Sequence, residues 1–245
     1  MRRLRLLPTF ATLFLLASSS AAQTSAPDTA PAIPMREEGH HHLIFQNSYV
    51  NVFFVEIPPG ESTLRHHHDL PYVSIQPGGA DAAPAPSGPP HIGYAAGNVT
   101  HAVTNSGKIP QRNIAVELVR PQGTVRDRCA AIVADQTPQV CEDDSLNASH
   151  PTRRTPLLET DEVLVESWEL APGVSTPPLD AKLDMLIGGL TGAQVSGAAG
   201  LDSANARRGG ILWVPAGSNP VFKTAPDRGG RFIAITFKDS GAAAR

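Results

Sequence analysis

The chain has no long basic run after its N-terminus, and its formal net charge is only −3 with histidine neutral. Nucleic acid is thereby set aside as a partner. No apolar run of helix-spanning length stands at the N-terminus either: residues 6–17 form a short apolar stretch, interrupted by Pro8 and too short to cross a bilayer. Aromatic residues are few, 5% of the chain, and helical periodicity is scarce. Glycine (21) and proline (23) are plentiful, which suits many short strands joined by tight turns better than long helices. With 245 residues and 41% apolar content, the chain can build one large β domain or two small ones.

The N-terminus reads as a secretory signal over residues 1–22. Arg2, Arg3 and Arg5 precede the apolar stretch, and Ser20-Ala21-Ala22 offers small residues for cleavage before Gln23. No Cys follows, which argues against a lipid anchor. The expectation is an exported protein, periplasmic or extracellular, that leaves the membrane once the signal is cleaved. Cys129 and Cys141 are the only cysteines. In an oxidising compartment they should pair, and in the chain-entropy view so short a loop contributes roughly 3 kcal/mol.

Residues 23–38 read as a flexible leader rich in Ala, Pro and Thr. Strand-like segments follow: residues 50–57 end at Pro58-Pro59-Gly60, residues 72–75 at Pro77-Gly78-Gly79, and residues 113–119 at Pro121. Residues 79–90 are a Pro/Ala loop. Residues 123–155 show no strand pattern and carry both cysteines. They read as a connector, with a short helix over residues 126–134.

The strands then repeat. Glu56-Ile57-Pro58-Pro59-Gly60 resembles Glu169-Leu170-Ala171-Pro172-Gly173, at a spacing of 113 residues. Ala96-Gly97 matches Ala216-Gly217, and Ile114-Ala115-Val116 matches Ile233-Ala234-Ile235, at spacings of 120 and 119. Three matches in the same order at nearly constant spacing argue for duplication of one β unit.

Chemistry concentrates in the first copy. In an extended stretch His66 and His68 point to one face and His67 to the other. His101 offers a third imidazole on a separate strand after the Gly97 turn. Such a set is a natural site for one divalent transition metal, whether Fe, Zn, Mn, Cu or Ni. Exposed loop histidines, or a satisfied core His101, are the plainer alternatives. His40-His41-His42 reads as a polar segment entering the first strand, and Tyr72 as a wall residue over the site. Glu117 contributes only if its strand face points inward. Asn98-Val99-Thr100 and Asn147-Ala148-Ser149 match the glycosylation sequon, a pattern frequent by chance.

The motif as a whole resembles the cupin superfamily, whose first motif has the form G-x5-H-x-H-x3-4-E and whose second has P-x-G-x2-H-x3-N. Gly60, His66 and His68 match the first. Gly97, His101 and Asn105 match the second with one extra residue after the glycine. The position of the family's Glu falls on Tyr72 or Val73, which removes a carboxylate ligand. The resemblance implies an all-β protein of two jelly-roll-like cupin barrels in tandem: residues 39–122 binding metal through His66, His68 and His101, and residues 156–240 degenerate. Counted from Gly173 and Gly217, the ligand positions in the second copy fall on Leu179, Asp180, Ala181 and Val221, none of them a histidine. It further implies a small-molecule ligand or substrate and is compatible with a homo-oligomer. The reaction expected of such a site is dioxygenase-like; a non-catalytic binding module and a structural bicupin are the alternatives.

Overall fold

In a computed structural model the described residues are 31–76, 91–130, 149–196 and 210–238, with 132, 133, 136 and 146 between them. They are all-β, as expected: one 3₁₀ turn, Met35–Glu37, is the sole helical element among them.

The first unit has a five-stranded sheet of β2 (His41–Gln46), β3 (Val50–Ile57), β5 (Tyr72–Gln76), β6 (His91–Ala95) and β8 (Gln111–Leu118), in the order β2-β3-β8-β5-β6. A small sheet opposes it, formed by β1 (Ile33–Pro34), β4 (His66–His68) and β7 (Val99–His101) in the order β1-β4-β7. The second unit repeats the plan. Its large sheet joins β9 (Arg126–Asp127), β10 (Thr152–Glu159), β11 (Val163–Leu170), β12 (Met185–Thr191), β14 (Leu212–Val214) and β16 (Gly230–Phe237) in the order β14-β12-β16-β11-β10-β9. Its small sheet pairs β13 (Ala193–Ser196) with β15 (Val221–Thr224). Strand pairing closes neither unit into a hydrogen-bonded ring among the described residues.

The duplication extends to individual hydrogen bonds. Thr63 N–H donates to Val103 O at 2.9 Å, and Thr176 N–H to Phe222 O at 2.9 Å. The Thr63 hydroxyl accepts from Val103 N–H and the Thr176 hydroxyl from Phe222 N–H. The bulge between Leu43 and Phe45 on β2 recurs between Pro156 and Leu158 on β10. Spacings of 113 before the glycine turn and 119 after it therefore map one unit onto the other.

The near-continuous apolar run of β3 follows from burial on both faces. Phe53, Val55 and Ile57 face inward with Met35 and Ala115. Val50 and Val52 face the other way, and with Val73, Ile75 and Val116 they pack against Leu158, Val165, Leu186, Ile233 and Ile235 of the second unit. Each such buried side chain stabilises by roughly 1.5–3 kcal/mol. The two large sheets thus share one core, back to back.

Three expectations need correction. The leader does not run to residue 38: Ile33 pairs with His66, and Met35 and Glu38 are buried, because an apolar Met anchors the segment to the inner core. The short helix over 126–134 is absent among the described residues. Arg126–Asp127 instead pairs with Leu158 and Glu159, and the Asp127 carboxylate takes N–H donors from Ala130, Ile132 and Val133, a side-chain alternative to helix bonding. The second unit begins at Thr152 rather than 156, since Pro156 sits at the bulge, where a missing N–H is tolerated. The signal residues 1–22 and Cys141 lie outside the described residues.

Candidate metal centre

β4 and β7 run antiparallel with His66 opposite His101 and His68 opposite Val99. Strand alternation turns His66 and His68 inward, where both are buried. His67 takes the opposite face, its Nδ1 2.7 Å from the Thr100 hydroxyl and its Nε2 3.2 Å from an Asp69 oxygen. Gly97 sets the entry of β7. Its φ is +89°, and a Cβ there would lie 2.8–2.9 Å from backbone atoms of Asp69 and Leu70, so only glycine fits. The extra residue after it is absorbed by Asn98, a non-glycine residue at positive φ (55°), a conformation asparagine tolerates. Asn105 fixes the far end, donating to Ile57 O and Ile109 O and accepting from Gly107 N–H.

The structure brings His66, His68 and His101 to one place and adds a fourth imidazole, His41. Ring centroids lie 5.0 Å apart for His66–His68, 4.6 Å for His66–His101 and 5.1 Å for His68–His101. His41 stands 4.6 Å from His66 and 6.0 Å from His68. His41, His66 and His68 each offer a ligand nitrogen within 4.8 Å of the others, the one such group among the described residues. Tyr72 stacks on His68 at 4.3 Å, a wall rather than a ligand.

The ring nitrogens are oriented from behind. His66 Nδ1 lies 2.8 Å from Leu64 O, and His41 Nδ1 lies 2.6 Å from a Glu38 oxygen. Each contact places the ring hydrogen on Nδ1 and turns Nε2 toward the centre, as metal-ligating histidines require. His101 Nε2 and His66 Nε2 face each other at 3.0 Å. This is a hydrogen bond, in which His101 donates when His66 keeps its hydrogen on Nδ1; an ion taken up by both rings would replace it, since two nitrogens each about 2.1 Å from one ion lie roughly 3.0–3.4 Å apart. His68 gives the sharpest test of fit: both its ring nitrogens are buried and without a hydrogen-bond partner. An unpaired buried polar group costs about 1–3 kcal/mol, and a bound cation would remove that cost at one nitrogen.

Burial, seconded by the neighbouring imidazoles, pushes His68 down to about 3 and His101 to about 4; burial lowers His41 and His66 as well. All four rings are therefore neutral at pH 7, the state metal binding needs. For Glu38, burial opposes ionisation, but hydrogen bonds from the His40 and His41 rings and from backbone N–H groups prevail, and the carboxyl is held at about 2. Glu117, on the same inward face as Ala115, accepts from Asn51 at 3.0 Å, and burial raises its pKa. The condition set for Glu117 is met: its strand face points inward.

His41 and Glu38 are what the sequence reading missed. A carboxylate three residues before a histidine was the available signal, but it gains meaning only once residues 33–38 fold under β4. In the second unit Leu179 and Ala181 occupy the places of His66 and His68. The place of His101 is Pro220, not Val221: Leu179 N–H donates to Pro220 O at 2.9 Å, the counterpart of the His66–His101 pairing. The slip comes from the additional residue at Asn98, which the second unit lacks.

No family model matches the chain, and no curated protein matches it by sequence. Solved structures do match. AerE from Microcystis aeruginosa aligns with a TM-score of 0.53 at 14% identity, over 82% of this chain and 99% of its own. A salicylate 1,2-dioxygenase from Pseudaminobacter salicylatoxidans aligns with a TM-score of 0.51 at 11% identity, over 82% of this chain and 76% of its own. At such identities the likeness establishes fold, and it agrees with the motif spacing and the paired sheets. The chain has the cupin fold.

Proposed function

We propose that this is an exported cupin protein whose first unit holds one divalent transition metal on His66, His68 and His101, with His41 as a fourth ligand, for dioxygen chemistry on a small organic molecule. The observation that carries the metal is His68, buried with neither ring nitrogen partnered among three other neutral imidazoles. The likeness to a dioxygenase supports the reaction class. A bound iron would supply the activation of dioxygen or substrate. The chain's own residues would do the rest. Glu38 and Leu64 O hold two imidazoles with Nε2 toward the centre. Tyr72 closes one wall. Glu117, with its raised pKa, is a carboxyl suited to take up a proton inside the unit. Export rests on the signal-like residues 1–22.

His41 favours a second reading, a binding module without turnover. Four protein ligands close a tetrahedral ion such as zinc, whereas an octahedral ion keeps two positions open. Elemental analysis of the purified chain, with single alanine variants, tests both. His66→Ala, His68→Ala or His101→Ala should each strip most of the metal, and His67→Ala should not. Iron supports dioxygen chemistry; zinc that His41→Ala also removes supports the closed module; a metal-free chain that takes up no added metal refutes both.

A further inference from the structure

On the inner face of the first unit's large sheet, strand alternation sets Asn51 on β3, Tyr72 and Ser74 on β5, and Asn113 and Glu117 on β8, alongside Phe53 and Ala115. Strand register identifies their counterparts in the second unit. Asn51 and Tyr72 both oppose Glu117, as Leu164 and Met185 both oppose Thr236. Ser74 opposes Ala115 as Ile187 opposes Ala234, and Asn113 opposes Val55 as Phe232 opposes Trp168. Polar residues in the copy with the imidazoles therefore answer to Leu, Met, Ile, Phe and Thr in the copy without them.

The second inner face is packed shut. Met185, Ile187 and Phe232 are buried there, and Phe232 stacks against Phe222 and Trp168. In the first unit Tyr72 and Ser74 are only half-buried, although Val73 and Ile75 on the other side of the same strand are sealed in the shared core. Tyr72 also stacks on His68, so this face adjoins the imidazoles.

Two acceptors on it have no donor. Asn113 Oδ1 is buried without a hydrogen-bond partner. Glu117 accepts from Asn51 through one oxygen, and its other oxygen takes no hydrogen bond among the described residues. A polar atom left unpaired inside a protein is costly, and the second copy avoids that cost with apolar side chains. The charges around Glu117 oppose each other: Arg36, which lies over the Phe53 ring, and Asp69 act on it with opposite sign.

We propose that this face binds a small uncharged substrate through its hydroxyl groups, which donate to Glu117 and Asn113 beside the imidazole cluster. The assignment rests on the metal reading above and narrows its substrate to neutral hydroxyl compounds. A carboxylate would bring only acceptors to a face whose unpaired groups are a carboxyl and an amide oxygen. The Tyr72 and Ser74 hydroxyls can donate or accept and suit the same partner.

Resorcinol, uncharged at neutral pH and with hydroxyls too far apart to chelate one ion, is the probe. It is titrated into the full chain by saturation-transfer NMR and calorimetry, with benzoate as the charged control and metal content read on each sample. Resorcinol should bind saturably, and benzoate about tenfold more weakly or worse. Glu117→Gln keeps an oxygen for Asn51 and turns the other into a donor; it should weaken resorcinol about tenfold or more with metal content unchanged. Ser74→Ile, which copies the second unit, should abolish binding and decides the matter if Glu117→Gln fails to fold. Benzoate bound as tightly as resorcinol, or resorcinol binding indifferent to both substitutions, overturns the proposal. So does a metal-loaded chain without saturable resorcinol binding, an outcome that leaves the metal reading intact. Resorcinol bound through Glu117 by a chain that takes up no metal supports this face and refutes the metal reading alone.

Discussion

Replacing Glu38 by glutamine should disable the imidazole cluster without altering any ring in it. One carboxylate oxygen of Glu38 accepts from His40 Nδ1 at 2.9 Å and Leu64 N–H at 3.2 Å; the other accepts from His40 N–H at 2.9 Å and His41 Nδ1 at 2.6 Å. Glutamine turns one of these oxygens into an NH₂ group, so two donors meet a donor. Losing two charge-assisted bonds of about 1.5–3 kcal/mol each, in part recovered by rearrangement, costs roughly 3 kcal/mol. The same four bonds set the acidity of the carboxyl. The carboxyl, 1% exposed, falls from 4.5 to about 2 on folding, which corresponds to about 3 kcal/mol. Because its pKa is lower in the folded chain, this contribution is complete above pH 4.5 and is lost as the pH falls toward 2. Urea denaturation of the metal-free chain at pH 7 should show the Glu38→Gln deficit. Metal titration should show affinity reduced about 10- to 100-fold, as His41 loses its orienting carboxylate. A variant within about 0.5 kcal/mol of the wild type, with unchanged metal affinity, would refute the reasoning.

Acid should act on the imidazoles too. His68 and His101 are held near 3 and 4 against an ordinary 6.5, so their contribution is full above pH 6.5 and is lost as the pH falls through 4 and 3. The melting temperature of the metal-free chain should therefore drop steadily from pH 6.5 to 4, less steeply in His68→Leu; equal slopes would count against the neutral cluster. Gly97→Ala places a Cβ against the Asp69 and Leu70 backbone at positive φ and should cost about 3 kcal/mol while weakening metal binding through displaced His101, both measurable on one sample. We also expect Cys129 and Cys141 to be bonded in exported protein; mass spectrometry without reduction should find no alkylatable thiol, and two alkylated cysteines would end that idea.

The paired units were legible because turn chemistry is local: Pro59-Gly60 and Pro172-Gly173 mark the same corner in each copy. His66, His68 and His101 were legible because strand alternation and a glycine turn suffice to face them inward. His41 was not. Its place depends on a parallel pairing of Ile33 with His66 across 33 residues and on Met35 seated in the inner core, a long-range packing choice with no periodic trace. Pro220 was missed for the opposite reason: a purely local residue, Asn98, in a left-handed turn shifts the register by one.

The shared core between the large sheets makes the two copies one thermodynamic body. Val52, Ile75 and Val116 have Leu158, Val165 and Ile235 as their cover, so either half expressed alone would present a greasy sheet to water and aggregate. The intact chain should then melt in a single transition whose calorimetric and van't Hoff enthalpies agree. An ion taken up by the first copy would raise the melting temperature of the second, which has no imidazole to hold one, by mass action alone.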